Sequence, residues 1–207
     1  MTRTLTRLAL LLAIAGCGGG GGNESPPDLL PPPPDLAIPP YPSGPYGIKE
    51  GDTLYDVTAK GYHLSRMQTD SSKLMLEDVK VSEAHFNPAC KCLVVSISAE
   101  WCPPCNAEQT PMIEALNADP SLCAFEVLLE NIDKKKTQQA DLDRWTQKYQ
   151  HNFPVVLPQL AATLHLPPAS ALPTNLTVHP DNMKIEKIFT GFNAKEEITA
   201  KALCNLK

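Results

Sequence analysis

Two cysteines stand two residues apart in "ISAEWCPPCNAEQTP", residues 97 to 111, directly after a run of β-branched residues and directly before a helix-forming run. Paired thiols at this spacing can clamp a metal, staple a loop or exchange with other disulfides, and the flanking residues decide between these. A Cys-x-x-Cys at a strand-to-helix junction puts its first sulfur at a helix N-terminus, where unpaired N–H groups and the helix dipole favour a thiolate. The thiolate is the reactive form of cysteine, so Cys102 is the expected nucleophile. Cys105, one turn into the helix, is placed to attack a mixed disulfide on Cys102 and release its partner. Pro103 and Pro104 stiffen the loop at first-turn positions, where a missing N–H is tolerated.

The elements that must hold this pair follow from the hydrophobic pattern. "CLVVSISA" is predicted as a buried strand, "PPCNAEQTPMIEALNAD" as a helix kinked at Pro111, and "CAFEVLLENI" as a second buried strand. "KTQQADLDRWTQKY" is an amphipathic helix with Leu142, Trp145 and Tyr149 on one face. After "FPVVL" come a short helical region at Gln159 to His165, a strand at Thr174 to Val178, a turn at "HPDNM", a strand at Lys184 to Phe189 and a helix from Ala194. Upstream, short strands are expected at Thr53 to Val57 and Tyr62 to Leu64 around Gly61, and a short helix at "EDVKVSEAHF". Strand, helix, strand in a parallel sheet needs a right-handed crossover, and "HPDN" joins an antiparallel hairpin. The fold class is therefore α/β: a central mixed sheet with helices on both faces and an N-terminal β extension.

Several of these residues together resemble a known family. "WCPPC" after a strand, Glu108, "NFPVVL" at 152 to 157, "LPT" at 172 to 174 and "HP…KIEKIFTG" ending in Gly191 are similar to the thioredoxin-like, membrane-anchored thiol–disulfide oxidoreductases of the TlpA/ResA type. The resemblance covers roughly residues 46 to 206. It implies a thioredoxin fold with Pro173 in the cis form beside the cysteines, so that the backbone of Leu172 can pair with a substrate strand. It implies that Glu108, three residues after Cys105, is an active-site carboxylate able to take the proton Cys105 must lose. The other reading of Glu108 is a solvated first-turn glutamate favoured by the helix dipole. Trp101, beside the reactive sulfur, is expected to shape the substrate surface. The implied activity is exchange with cysteines of envelope proteins, as a reductase supplied by an upstream dithiol donor, with oxidation as the alternative direction, and without a cofactor.

Two residues depart from the pattern. Ser96 sits six residues before Cys102, where thioredoxins proper carry a buried aspartate. Pro111 lies six residues after Cys105 rather than the usual five.

Besides Cys17, Cys102 and Cys105, the seven cysteines include Cys90, Cys92, Cys123 and Cys204. With Cys17 set aside they form an even set in a chain expected to be exported, which favours one or two structural disulfides. Cys92 and Cys123 begin parallel strands at the pole opposite Cys102, and Cys204 near the end of the last helix should reach that pole. Cys90 with Cys92 is disfavoured by strain. Cys90–Cys123 with Cys92–Cys204, and Cys90–Cys204 with Cys92–Cys123, both remain open. A zinc site from Cys90, Cys92, Cys102 and Cys105 is disfavoured because the intervening strand would separate the pairs by about 30 Å. The histidines at 63, 85, 151, 165 and 179 have no ligand spacing and are expected on the surface or in loops.

The chain's 207 residues and formal charge of −5 suit one domain, and the scattered basic residues give no nucleic-acid surface. The Lys134–Lys136 cluster reads as a solvated loop. Arg3 and Arg7, an apolar run from Leu8 to Ala15 and then Gly16-Cys17 read as a lipoprotein signal over 1–16, with Cys17 as the lipidated residue that holds the chain at a membrane. A plain secretory signal with a free Cys17 is the alternative. Residues 17–45, rich in Gly and Pro, read as a tether, and 46–207 as the domain. The expected location is the cell envelope, anchored on the outer face of the inner membrane or in the outer membrane. Two other activities suit the same fold: a Cu(I) metallochaperone using Cys102 and Cys105, although no Met or His ligand sits near them, and a redoxin-type peroxidase, although no Thr-x-x-Cys is present.

Overall fold

A computed structural model describes residues 40–64, 75–159, 172–190 and 199–205. The signal segment with Cys17, most of the tether, the helical region after Gln159, Gly191 and the start expected for the last helix at Ala194 lie outside the described residues.

Seven strands form one sheet: β1 (Thr58–Tyr62), β2 (Glu77–Lys80), β3 (Cys92–Ala99), β4 (Leu122–Glu130), β5 (Val155–Val156), β6 (Thr174–His179) and β7 (Lys184–Thr190). Their order is β2-β1-β5-β4-β3-β6-β7. β4 runs parallel to both β3 and β5, while β6 and β7 are antiparallel additions on the far side of β3. Among the described residues the helices are α1 (Ser82–Phe86), α2 (Pro103–Ala118), α3 (Gln139–Tyr149) and α4 (Ala200–Leu203).

All eight residues of β3 are buried, which is why its sequence runs apolar without alternation. Leu93, Val95 and Ile97 face a core shared with Phe125, Val127, Leu176 and Ile185, against which Ala84 of α1 packs. Cys92 and Val94 face the opposite core, where Met112 and Leu116 of α2 meet Leu142 and Trp145 of α3. Successive crossovers of one hand, stepping from β3 to β4 to β5, put α2 and α3 on the same face. α2 runs as one helix through Pro111, whose missing N–H leaves the Ala107 carbonyl without its donor four residues on.

Two local expectations are corrected. The strands expected at Thr53–Val57 and Tyr62–Leu64 give way to one strand between them, β1 (Thr58–Tyr62), with Gly61 inside it, while Thr53 makes only isolated bridges. Gly61 faces Val156 across the ladder, and a Cβ there would lie 2.5 Å from the Val155 carbonyl oxygen. The glycine serves a close backbone approach rather than a turn. "EDVKVSEAHF" is not a helix throughout: Glu77–Lys80 pairs antiparallel with β1, and only Ser82–Phe86 is helical. Buried Val79 and Val81 alternate with exposed Asp78 and Lys80, the period-two pattern of an edge strand.

The stretch 41–45, which composition assigns to the tether, is held on the first core. Tyr41 packs against it and its hydroxyl donates to the Leu54 carbonyl at 2.7 Å, while the Thr53 amide donates to the Pro45 carbonyl at 2.9 Å. Among the described residues, no helix is long and apolar enough to cross a membrane.

Candidate functional site: a dithiol at the start of helix α2

β3 delivers the chain to Cys102, which caps α2 with an extended backbone (φ −84°, ψ 110°). Pro103 and Pro104 fill the first two helical positions and carry no N–H, so the Cys105 amide is the first donor the helix can offer. It is aimed at the Cys102 sulfur, at 3.3 Å. The sequence thus removes two orphan donors of the helix start and directs the third to the sulfur expected to carry negative charge.

Cys102 and Cys105 are joined as a disulfide with Cα atoms 5.2 Å apart. Cys102 is 2% exposed and Cys105 fully buried, and together with Ala99 they form a small cluster that Trp101 and Leu172 pack against. Pro173 is buried and its bond to Leu172 is cis. The residues expected to face a substrate, Trp101, Leu172 and Pro173, thus converge with the disulfide. Trp101 is fixed from behind, its indole N–H donating to Glu130 Oε2 at 2.7 Å.

Glu108 is 4% exposed, which excludes the solvated reading. Three residues after Cys105 on α2, it shares that residue's sheet-facing side. Ser96 Oγ donates to Oε1 at 3.1 Å and Asn175 Nδ2 donates to Oε2 at 3.2 Å. Ser96 and Asn175 are direct partners in the β3–β6 ladder, so two adjacent strands present hydrogen-bond donors to a carboxylate supplied by the helix.

The same rung continues to a second acid that the sequence reading missed. Ser96 pairs with Glu126 on β4, and Glu126 is fully buried. Its Oε1 accepts from Gln109 Nε2 at 3.0 Å and its Oε2 from Trp145 Nε1 at 3.1 Å. His151 Nε2 lies 3.3 Å from Oε2 and 2.8 Å from Gln109 Oε1. Both neighbours accept, so Nε2 carries the hydrogen. Gln109 also donates to the Cys105 carbonyl at 3.1 Å, tying this cluster to the dithiol. Of the surface or loop role expected for His151, the loop holds and the surface does not: it is buried, with its ring nitrogen between Gln109 and Glu126. A signal for Glu126 was present in "CAFEVLLENI", where it shares the parity of Leu122, Ala124 and Leu128, which face the helices. Nothing in the sequence pointed to His151.

Glu100, beside Trp101, accepts both arms of the Arg144 guanidinium at 2.9 and 2.8 Å. The hydrogen bonds to Glu100 and then Asp141 hold Arg144 above its ordinary pKa. Burial works to raise the Asp141 carboxyl, but bonds from the Gln138 amide, Arg144 and Asn131 outweigh it and hold Asp141 below the usual carboxylate range.

The other four cysteines are bonded Cys90–Cys123 and Cys92–Cys204, one of the two pairings that the sequence left open. They lie on opposite faces of the sheet: Cys92 and Cys204 belong to the helix-covered core and Cys90 to the other. Among the described residues, no three His, Cys, Asp or Glu side chains converge as metal ligands.

No family model and no curated protein matches the sequence. Among solved structures, a Chlorobium tepidum protein assigned as thiol:disulfide interchange protein DsbE superimposes with a TM-score of 0.51 at 16% identity, over 73% of this chain and 92% of the other. MTB DsbF, in mixed oxidized and reduced forms, gives a TM-score of 0.50 at 17% identity, over 72% of this chain and 95% of the other. At these identities the likeness speaks for architecture. With the mixed sheet and its flanking helices, it establishes that this chain has a thioredoxin fold.

Proposed function

We propose that the protein is a thiol–disulfide oxidoreductase of the TlpA/ResA type, lipid-anchored through Cys17 in the cell envelope and acting as a reductase on cysteines of other envelope proteins. The observation that carries this reading is the cap geometry. The sulfur of Cys102 receives the first amide hydrogen of α2, at the junction with Trp101 and the Leu172–Pro173 loop. The solved neighbours named as a thiol:disulfide interchange protein and as DsbF support it at the level of fold.

In the reaction, the Cys102 thiolate attacks a substrate disulfide, forming a mixed disulfide and releasing one substrate thiolate. Cys105 loses its proton, attacks the Cys102 sulfur and releases the second substrate thiolate. Two electrons pass to the substrate, and the protein is left with the Cys102–Cys105 disulfide seen in the structure. Glu108, on the same buried side of α2, accepts the proton of Cys105. An upstream dithiol restores the reduced form.

The test is trapping. Cys105→Ala removes the resolving thiol, so Cys102 should remain covalently joined to its partners in cells, and mass spectrometry identifies them. Adducts on envelope proteins that disappear in a Cys102→Ser, Cys105→Ala chain are expected. A Cys105→Ala chain that accumulates no adducts would refute the reading.

A further inference from the structure

The loop between β4 and α3 carries Lys134, Lys135 and Lys136, all exposed. It is not a loose solvated run. The Asn131 amide donates to the Lys135 carbonyl at 2.8 Å, and Asn131 Oδ1 accepts from the Asp133 and Lys135 amides, each at 3.0 Å. The Ile132 amide donates to Glu100 Oε2 at 3.1 Å, and Glu130 and Lys136 form a bridge that closes the loop. This internal bonding sets the lysines in place and puts the Lys134 ammonium 4.9 Å from the centre of the Trp101 ring, next to Cys102.

The acids nearest this rim have internal partners. Glu100 is held by Arg144, and Glu130 by the Trp101 indole. Among the described residues, none of the three lysines makes an ion pair, and Asp133 is the loop's sole acid. A further exposed ammonium, that of Lys148, sits 2.8 Å from Oδ1 of Asn106, the residue after Cys105. The chain as a whole carries a formal charge of −5, yet lysines stand beside the residues that flank the dithiol, Lys134 at Trp101 and Lys148 at Asn106.

Resting on the thiol–disulfide reading above, we propose that this rim selects the substrate: a polypeptide segment whose disulfide-bonded cysteine is flanked by acidic residues. Carboxylates on the segment meet Lys134–Lys136 on the Trp101 side and Lys148 on the α2 side. They steer the disulfide sulfur toward Cys102 and raise the encounter rate.

The test uses the reduced full chain and two synthetic peptides, each with one cysteine as its 2-pyridyl disulfide, flanked by glutamates in one and lysines in the other. Attack by Cys102 releases pyridine-2-thione, and resolution by Cys105 releases the peptide thiol, so the chromophore reports the second-order rate. At low salt the acidic peptide should react about tenfold faster than the basic one, and the gap should close at high salt. In the variant Lys134→Asn, Lys135→Gln, Lys136→Gln, in which asparagine suits the left-handed backbone at position 134 (φ 59°), the ratio should fall toward one. Equal rates for the two peptides with the parent chain, or an acidic preference undiminished in the variant, would overturn the proposal. A parent chain that fails to reduce even the uncharged 2,2′-dithiodipyridine would instead sink the thiol–disulfide reading on which it rests.

Discussion

The Ser96 hydroxyl donates to Glu108 Oε1 at 3.1 Å, so the strand supplies the donor and the helix supplies the acid. Were Glu108 the proton acceptor for Cys105, Glu108→Gln would keep the shape and lose the chemistry. Release of substrate from the mixed disulfide should slow on the order of 10²-fold and lose its pH dependence, while formation of that disulfide is unchanged. Ser96→Ala should keep the pH dependence and cost about 1 kcal/mol of stability. Rapid-quench kinetics across pH separate the two steps; a Gln variant with the parent's resolution profile would remove Glu108 from the mechanism.

A cluster behind the dithiol gives a second expectation. Glu126, Gln109, Trp145 and His151 are all buried, and each member supplies a partner to another. His151→Ala leaves Gln109 Oε1 without its 2.8 Å contact and opens space beside Trp145, whose ring stacks on the imidazole. A loss on the order of 3 kcal/mol is expected in urea denaturation of the oxidised protein. A change under 0.5 kcal/mol would mean that the cluster contributes no stability through this residue.

What was legible in the sequence, and what was not, divides along a physical line. β3, α2, β4 and α3 are long, the strands with near-continuous apolar runs and α3 with a clear apolar stripe, and the dithiol sits at the direct junction of β3 with α2, so position and chemistry could be read together. β1 and β2 are short strands, β2 at the sheet edge, whose identity depends on cross-strand partners. Gly61 could not reveal in isolation that Val155 and Val156 press against it. The same holds for His151, which becomes a buried hydrogen-bond partner only once α2 and β4 are packed. Lys134–Lys136 were visible as charge, but only the loop's internal hydrogen bonds place them beside Trp101.

The start of α3 should be sensitive to acid. The Asp141 carboxylate accepts from the Gln138 amide at 2.9 Å and from Arg144 at 2.8 Å, and its folded-state pKa is lowered. Its contribution is therefore present above the unfolded value of about 4 and is lost as the pH falls through the lower folded one. Arg144 is half exposed, so solvent screening limits the effect to roughly 1 kcal/mol. Asp141→Asn should destabilise the protein by that amount at pH 7, and the difference from the parent should shrink as the pH falls below about 4. A difference constant with pH would show that the carboxylate's charge plays no part.

The two structural disulfides should differ in worth. Cys92–Cys204 spans 112 residues and ties the end of α4 to the start of β3, whereas Cys90–Cys123 spans 33 and joins the loop before β3 to β4 at the other core. Constraint of the unfolded chain grows with the logarithm of the closed loop, which gives about 5 kcal/mol for the longer link and about 4 for the shorter. Cys90, Cys92 and Cys204 are buried and Cys123 partly so, and both bonds lie at the start of β3, the end away from Cys102, so their removal should act on stability rather than on exchange. The paired variants Cys92→Ser with Cys204→Ser, and Cys90→Ser with Cys123→Ser, should each unfold at lower urea, the first pair by the larger margin. Each should still reduce 2,2′-dithiodipyridine at the parent rate while folded. If the shorter link proved the more stabilising, loop closure would not be the dominant effect, and the packing of Cys90 against the first core would be the cause to examine.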